Sequence, residues 1–549
     1  MMGLTSIFAN STIAKYVKSM RAAPREVITS PRMFLTAALY AMCGIPITWD
    51  QGSSSVVPSL PGFQEYFGIS SGSNAKLISN YVSIVYIGCG VGAALSFFIN
   101  DRIGRLWSLR LYMSVWIIGQ LVATFAPNLA GLYASRIISG LGIGPLTVLG
   151  PMSIVEIAPT EMRGLLAAWF SVAMLMSLFV AVFCVYGVFT TMAISRLQYQ
   201  VVWFSPTVFL FLCIVASFFL SESPRWLALV DRHGEALKTL ADLRGLPEDH
   251  PRVQAEMHEI LASIGDEASG DKSQGHGFMA IVKETFLIPS NLRRVQQVLV
   301  SYALAQLSGA NSVTSYLVPI LTLMGLGGGT TRSLFLSGMY SMAKFFFTLM
   351  ASFFFIDALG RRKSLLLGAT IQMISDIYIG VYIKFKQQGG TTDGASQAAI
   401  AAIFFHGFGY AIGLLTLPYV FGAELWPNRI RSFGAALSQT FHWLFYYGVN
   451  AGTASLLAQT NNWGAFIFFA AWCMISLIYV YFLVPEIAGL SIEEIDILFR
   501  GSWFNAYRRV AKRSNTVVIE GSDSNELPLE ASDSNECSKE KAREGCDRV

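Results

Sequence analysis

Charge is what this sequence has least of. Only 13% of its 549 residues are Asp, Glu, Lys or Arg, against roughly a quarter in an ordinary soluble domain, while 53% are hydrophobic. Water cannot be the main solvent for such a chain. Cysteine is scarce as well, with seven residues and no clustered spacing, which excludes a disulfide framework. Cys43, Cys89, Cys184, Cys213 and Cys473 fall inside apolar runs and are expected to be small packing residues. No G-x-x-x-x-G-K-[ST] loop occurs, so a gradient rather than a nucleotide is expected to drive any work. The polar segments hold no metal-ligand cluster and no nucleophile constellation, so the sequence offers nothing to an enzyme, a cofactor or a metal site. The opening stretch lacks the long apolar core and small-residue cleavage site of a signal peptide, and the first apolar run is expected to serve as the signal itself.

What the sequence does have is apolar runs of about 20 residues, the length that crosses a hydrocarbon layer of about 30 Å. Twelve occur, at 33–57, 77–99, 108–126, 129–155, 164–190, 201–220, 296–322, 332–356, 364–384, 398–422, 432–456 and 463–484, referred to below as spans 1 to 12. They predict an all-α polytopic membrane protein. Its expected parts are a cytosolic segment 1–32, a six-helix half 33–220, a cytosolic central loop 221–295 with short amphipathic helices, a second six-helix half 296–484 and a cytosolic tail 485–549. The tail turns polar and acidic beyond about 513, where SDSNE at Ser522 to Glu526 returns at Ser532 to Glu536; such a segment cannot bury enough apolar surface to order itself. With the amino terminus placed in the cytosol, most of the 39 Lys and Arg fall in inside segments, and the outside loops hold Lys76, Arg196, Arg332, Lys384 and Lys386. That asymmetry puts both termini in the cytosol. It also spreads the positive charge over short loops, which excludes a nucleic-acid face.

The halves repeat one another. Glu156, Pro159 and Arg163 spell E-x-x-P-x-x-x-R, and Glu424, Pro427 and Arg431 spell it again; Asp101, Gly104 and Arg105 recur as Asp357, Gly360 and Arg361. Two six-span halves built on one repeat is the architecture of carriers that rock around a midplane site. The loops NDRIGR (Asn100 to Arg105), PMSIVEIAPTEMRG (Pro151 to Gly164), SESPRWL (Ser221 to Leu227), QLSGAN (Gln306 to Asn311), DALGRR (Asp357 to Arg362), GAELWPNRIRSFG (Gly422 to Gly434) and PEIAGLSIEEID (Pro485 to Asp496) follow in order along the chain. Together they resemble the signature series of the sugar porter family of the major facilitator superfamily. The resemblance implies a gate on the cytosolic side. Asp101, Arg105, Glu156, Arg163, Glu222 and Arg225 in the first half, with Asp357, Arg361, Glu424, Arg431 and Glu486 in the second, would hold it shut and separate as it opens inward. Partly dehydrated charge pairs gain more than exposed ones, which suits them to that task.

Two charges lie deep within the first half. Asp50 of span 1, in PITWDQG, and Arg136 of span 4, in ASRIISGLGIG, are costly at such depth and so point to function. Proton-coupled members of the family resembled here bind the proton on an aspartate at the position of Asp50, next to an arginine at that of Arg136. Burial favours the protonated carboxyl and a nearby guanidinium opposes it, so relative movement of the two would load and discharge a proton. A static ion pair is the alternative. In the second half, Gln306, Asn311, Tyr316, Tyr419, His442 and Trp443 match the family's substrate-contacting positions; amides suit vicinal hydroxyls and aromatic faces cover a sugar ring.

Four departures from the family pattern, Ser171, Ala305, Tyr419 and His442, put a hexose pocket in question. Lys344 is in the middle of span 8, ~18 Å from either end, and could anchor a carboxylate; Asp376 of span 9 is expected toward the outer side. Lys344 and the GVYIK stretch at 380 to 384 resemble a branch of fungal transporters that includes quinate permeases and sugar-acid carriers. The chain is thus expected to be a multi-pass protein of the plasma membrane, monomeric, that takes up a monosaccharide or a sugar-like carboxylate together with a proton. A uniporter, an exporter and a non-transporting sensor are the alternatives.

Overall fold

The computed structural model describes residues 21, 24–69, 75–269, 278–326, 328–355, 359–415, 417–487 and 498–500. The acidic tail with its SDSNE repeat and Asp357 lie outside the described residues. Among the described residues, ten helices are long and apolar enough to cross a membrane. Six belong to the first half: Arg25–Ser59, Lys76–Ile103, Arg105–Thr124, Leu129–Ile157, Arg163–Thr191 and Leu197–Ser217. Four belong to the second: Thr330–Phe353, Arg361–Gln387, Asp393–Leu415 and Trp463–Leu483. These are spans 1 to 6, 8, 9, 10 and 12.

The other two crossings, spans 7 and 11, are less apolar. Span 7 is built from Pro289–Leu307, Ala310–Ser315 and Leu317–Leu323, and span 11 is the single helix Arg431–Gln459. Span 7 breaks at Gly309, whose φ of +79° is left-handed and whose added Cβ would meet the Phe469 ring at 2.5 Å. Span 1 breaks at the matching place: the 3₁₀ turn Met42–Gly44 separates Pro31–Ala41 from Ile45–Val56, with Pro46 in the first turn of the latter. Proline has no N–H for the preceding turn and glycine adds no Cβ, so both halves open on an interrupted helix.

Small residues let the helices approach closely. Gly88 of span 2 lies on Gly140 of span 4 and Gly92 on Leu141 and Pro145, and a Cβ on Gly144 would stand 1.9 Å from the Cys89 carbonyl oxygen. Without a hydrophobic drive between helices in lipid, such backbone contact is what holds them together. It leaves Arg136, one turn from Gly140, facing spans 1 and 2. In the second half Gly368 of span 9 lies on Gly409 and Gly413 of span 10, and the π-helical turn Ala411–Leu415 begins there. Large apolar side chains such as Phe204, Phe211 and Leu212 of span 6 point outward and are about half exposed, as a lipid-facing surface requires.

Between the halves lie the short helices Pro224–Leu229, His233–Arg244, Pro251–Ser269 and Phe278–Leu287. Arg244 is buried and ties this layer to span 4. It donates to Glu256 Oε2 at 2.9 Å and to the Ile157 carbonyl at 2.8 Å.

Candidate functional site

Asp50 and Arg136 meet in the interior of the first half. Nη1 of Arg136 donates to Oδ2 of Asp50 and Nη2 to Oδ1, both at 2.7 Å, and both side chains are buried. Ser54 donates to Asp50 Oδ1 at 3.2 Å, and Arg136 Nε donates to the Tyr81 carbonyl at 3.1 Å with the Tyr81 ring below it. A fork-to-fork pair of this kind satisfies both charges without water.

Across the molecule, the second half gathers a polar and aromatic cluster. Asn311 Nδ2 donates to Gln306 Oε1 at 2.9 Å and to the Tyr410 hydroxyl at 3.2 Å. Gln306 lies 3.3 Å from His442 Nδ1, and the Tyr419 hydroxyl 3.4 Å from His442 Nε2. Lys344 Nζ sits over the Tyr410 ring at 5.2 Å and donates to Thr314 Oγ1 at 3.2 Å. Among the described residues no carboxylate comes within ion-pair distance of it.

With the Trp443 ring edge-on to His442 at 4.8 Å, six of the seven expected substrate residues, Gln306, Asn311, Lys344, Tyr419, His442 and Trp443, join one network. Tyr316 does not. Its hydroxyl donates to Ser79 Oγ and to the Asn450 carbonyl, each at 3.2 Å, because Tyr316 begins the last piece of span 7 and turns toward span 2. It clasps the halves instead of facing the cluster.

The halves touch along a seam of further contacts. Gln51 donates to the Tyr446 hydroxyl at 2.9 Å, Trp443 Nε1 donates to Thr147 Oγ1 at 3.3 Å, and Ser79 donates to the Ala451 carbonyl at 3.3 Å. The Trp443 ring lies parallel to that of Tyr86 at 5.8 Å. Near the repeated loops, Phe97 of span 2 meets Phe433 of span 11 at 5.6 Å between ring centres.

At that loop end the repeated motif folds the same way twice. Gly104 and Gly360 have φ of +92° and +87°, and a Cβ on either would stand 2.6 Å from a carboxylate oxygen, of Glu222 or Glu486 respectively. Those carboxylates cap the next helix. Glu222 Oε1 accepts from the Arg105 N–H at 3.0 Å, and Glu486 Oε1 from the Arg361 N–H at 2.9 Å. Burial pushes the Glu222 carboxyl up, against the pull of these backbone donors. Arg105 itself bonds Glu156 through Nε at 3.0 Å and Nη2 at 2.8 Å, and Asp101 at 2.8 Å. Ser223 donates to Glu156 at 2.6 Å.

Asp101, Arg105, Glu156 and Glu222 are thus tied to one another within the first half. Arg225 is half-buried beside them, close enough to act on Glu156. Arg163 stands apart, exposed, in the field of Glu256 and Glu259. In the second half Arg361 and Arg431 are half-buried, each at the start of its helix. The backbone of Glu424 ends the helix Leu417–Glu424; its side chain lies outside what is described.

Several residues of the cluster escape a reading of the sequence. Tyr302 accepts from Gln439 at 3.0 Å and its ring lies tilted against that of His442 at 4.8 Å, and Tyr410 joins Lys344 to Asn311. Neutral aromatics in apolar runs carry no signal that separates them from packing. Asp376 and His406 are different. His406 Nε2 faces Asp376 Oδ1 at 3.4 Å, both fully buried, so Asp376 lies in the core of its half. A histidine in an apolar run, one of only six in the chain, was the available signal.

The sugar (and other) transporter family model matches residues 36–499. A probable quinate permease of Aspergillus niger is 30% identical over 490 residues, 87% of this chain and 90% of the relative. The quinate permease of Emericella nidulans is 28% identical, again over 87% of this chain and 90% of its own. Among solved structures, the proton:xylose symporter XylE bound to a bromodeoxyglucose aligns with a TM-score of 0.71 at 20% identity, covering 86% of this chain and 99% of that one. The inward-open form of XylE from E. coli aligns with a TM-score of 0.67 over 85% of this chain.

Proposed function

The chain belongs to the sugar (and other) transporter family of the major facilitator superfamily, carriers and not enzymes, and from that premise we propose that it takes up a monosaccharide or a sugar-like carboxylate, of the quinate or uronate kind, together with a proton. The observation that carries this reading is the buried Asp50–Arg136 pair on the interrupted first helix, across the seam from a cluster of amides, hydroxyls and aromatic rings. A polyol would exchange its water for the Gln306 and Asn311 amides while its ring faces Trp443. The pair would hold the proton: shifting Arg136 away from Asp50 leaves a buried carboxylate that is cheapest protonated.

The loop end carrying Glu156 and Glu222 is cytosolic in this reading, with both termini on that side and the helices of 221–295 beneath the bundle. The carrier acts as a monomer in the plasma membrane, and the charged residues of both motif repeats hold its cytosolic gate. The quinate permeases among its relatives, and Lys344 with no carboxylate within ion-pair distance among the described residues, favour an acid over a neutral hexose.

Uptake of radiolabelled glucose, xylose, galacturonate and quinate into transporter-deficient yeast, with and without a protonophore, tests this directly. Accumulation of galacturonate or quinate that collapses with the proton gradient is the expected result. Uptake that only equilibrates across the membrane and is unaffected by the protonophore would make Asp50–Arg136 a static pair in a uniporter.

A further inference from the structure

Asp376 and His406 belong to none of the roles described so far. The close contact of Gly368 with Gly409 and Gly413 brings spans 9 and 10 together. Gln372 and Asp376, four residues apart, then share the face of span 9 that meets His406. The ring nitrogen Nε2 of His406 has the Ser308 carbonyl at 3.3 Å, Gln372 Nε2 at 3.4 Å and Asp376 Oδ1 at 3.4 Å. Among the described residues, neither Asp376 oxygen nor His406 Nδ1 has a hydrogen-bond partner in bonding geometry. Two ionisable groups with unmet hydrogen-bonding capacity, both fully buried at membrane depth, are a poor way to build a structural pair.

Lys344 lies near His406. Its ammonium lies over the ring of Tyr410, one helical turn along span 10 from His406, and its charge reaches His406. The other titratable groups that face the pair are the Tyr340 phenol of span 8 and the Cys473 thiol of span 12; Ser308 of span 7 contributes only its carbonyl and hydroxyl. Neither the phenol nor the thiol brings a permanent charge. The charge balance of the region therefore rests on Lys344, Asp376 and His406.

We propose that Asp376 and His406 form a second proton site, loaded only when an anionic substrate occupies Lys344. This rests on the reading that the substrate is a sugar-like carboxylate. With Lys344 an ammonium, Asp376 a carboxylate and His406 neutral, the buried group has no net charge. A substrate carboxylate at Lys344 adds one negative charge in a medium that screens it poorly. A proton from the water on the entry side restores neutrality by turning His406 into an imidazolium facing Asp376. When the substrate leaves on the other side the same proton is repelled by Lys344 and follows it. Anion and proton thus raise each other's affinity by one shared factor, while a neutral sugar raises neither. The proton on Asp50 is separate and accompanies either kind of substrate.

Calorimetric titration of the purified full-length protein with quinate and with D-xylose, in buffers of different ionisation enthalpy, counts the protons taken up per ligand bound. Free quinate is fully ionised at neutral pH, as carboxylates titrate near pH 4, so any uptake belongs to the protein. The wild type should take up about one more proton with quinate than with xylose. Asp376→Asn and His406→Gln should each lose that difference and still bind xylose, whereas Asp50→Asn should keep it. Equal proton uptake for the two ligands in the wild type, a comparison that needs no variant to fold, overturns the second site, as does an undiminished difference in both variants. A protein that binds xylose but no quinate overturns it together with the anionic-substrate reading. Loss of the quinate difference alone, with accumulation still dependent on Asp50, leaves that reading standing.

Discussion

At the scale of single residues, the consequences of burial are sharpest where a charge has one partner. Asp50→Asn should abolish accumulation against a gradient yet leave exchange of bound substrate, measured as counterflow in proteoliposomes, because exchange needs no net release of a proton. Accumulation by the variant would show that the carboxyl does not couple. Arg136→Ala strands a buried carboxylate, a loss of ~3–5 kcal/mol by analogy with broken buried pairs. Thermal unfolding in detergent should find it less stable than the double variant Asp50→Asn/Arg136→Gln, which leaves no charge behind. Lys344→Met removes a charge-assisted hydrogen bond from an anion only, worth ~1.5–3 kcal/mol. Quinate should then weaken by about 10- to 100-fold as a competitor of uptake while a neutral sugar changes little. Asp50, Arg136 and Lys344 were legible in the sequence because a charge in an apolar run is costly and so stands out. Tyr302, Tyr410 and Gln439 were not, since a neutral side chain there reads as packing until its partner is known.

At the scale of helices, the glycines decide more than the large residues do. A Cβ at position 144 would enter the Cys89 carbonyl, so Gly144→Ala should force spans 2 and 4 apart and carry Arg136 away from Asp50. Loss of the monodisperse peak in fluorescence-detected chromatography is the expected result, and unchanged elution with full proton coupling would refute it. At Gly104 and Gly360 the cost is local: alanine at a positive φ with extended ψ loses ~1–3 kcal/mol, and its methyl collides with Glu222 or Glu486 as well. The motif spelling D-x-x-G-R thus records a backbone requirement and a helix cap, which the sequence shows only as a repeated pattern. Spans 7 and 11 illustrate the opposite limit. Both were placed from the sequence even though they are the least apolar crossings, and their polarity is explained by the cluster they carry. The break at Gly309 was not foreseen, because QLSGAN reads as a helical run until the Phe469 ring is seen against it.

At the scale of the whole molecule, the two halves meet through few polar contacts. The Tyr316 clasp on Ser79 and the Gln51–Tyr446 bond bind them at the end away from the repeated loops, each worth ~0.5–1.5 kcal/mol. Combining Tyr316→Phe with Ser79→Ala should raise the fraction open at that end by up to about tenfold. The rate at which a membrane-impermeant maleimide labels a cysteine placed at Asn311 reports it; an unchanged rate would mean that the clasp is incidental. The architecture of paired halves was legible from the repeated motifs, but the seam was not, because it is made by residues far apart in sequence whose pairing no local pattern encodes. One of those pairs has an optical consequence. Trp443 of one half lies parallel to Tyr86 of the other, so any motion that parts the halves must change what surrounds its indole. The difference in emission between the protein and its Trp443→Phe variant isolates this one fluorophore from the chain's 11 tryptophans, and the molecule thereby carries a built-in gauge of its own opening that needs no dye.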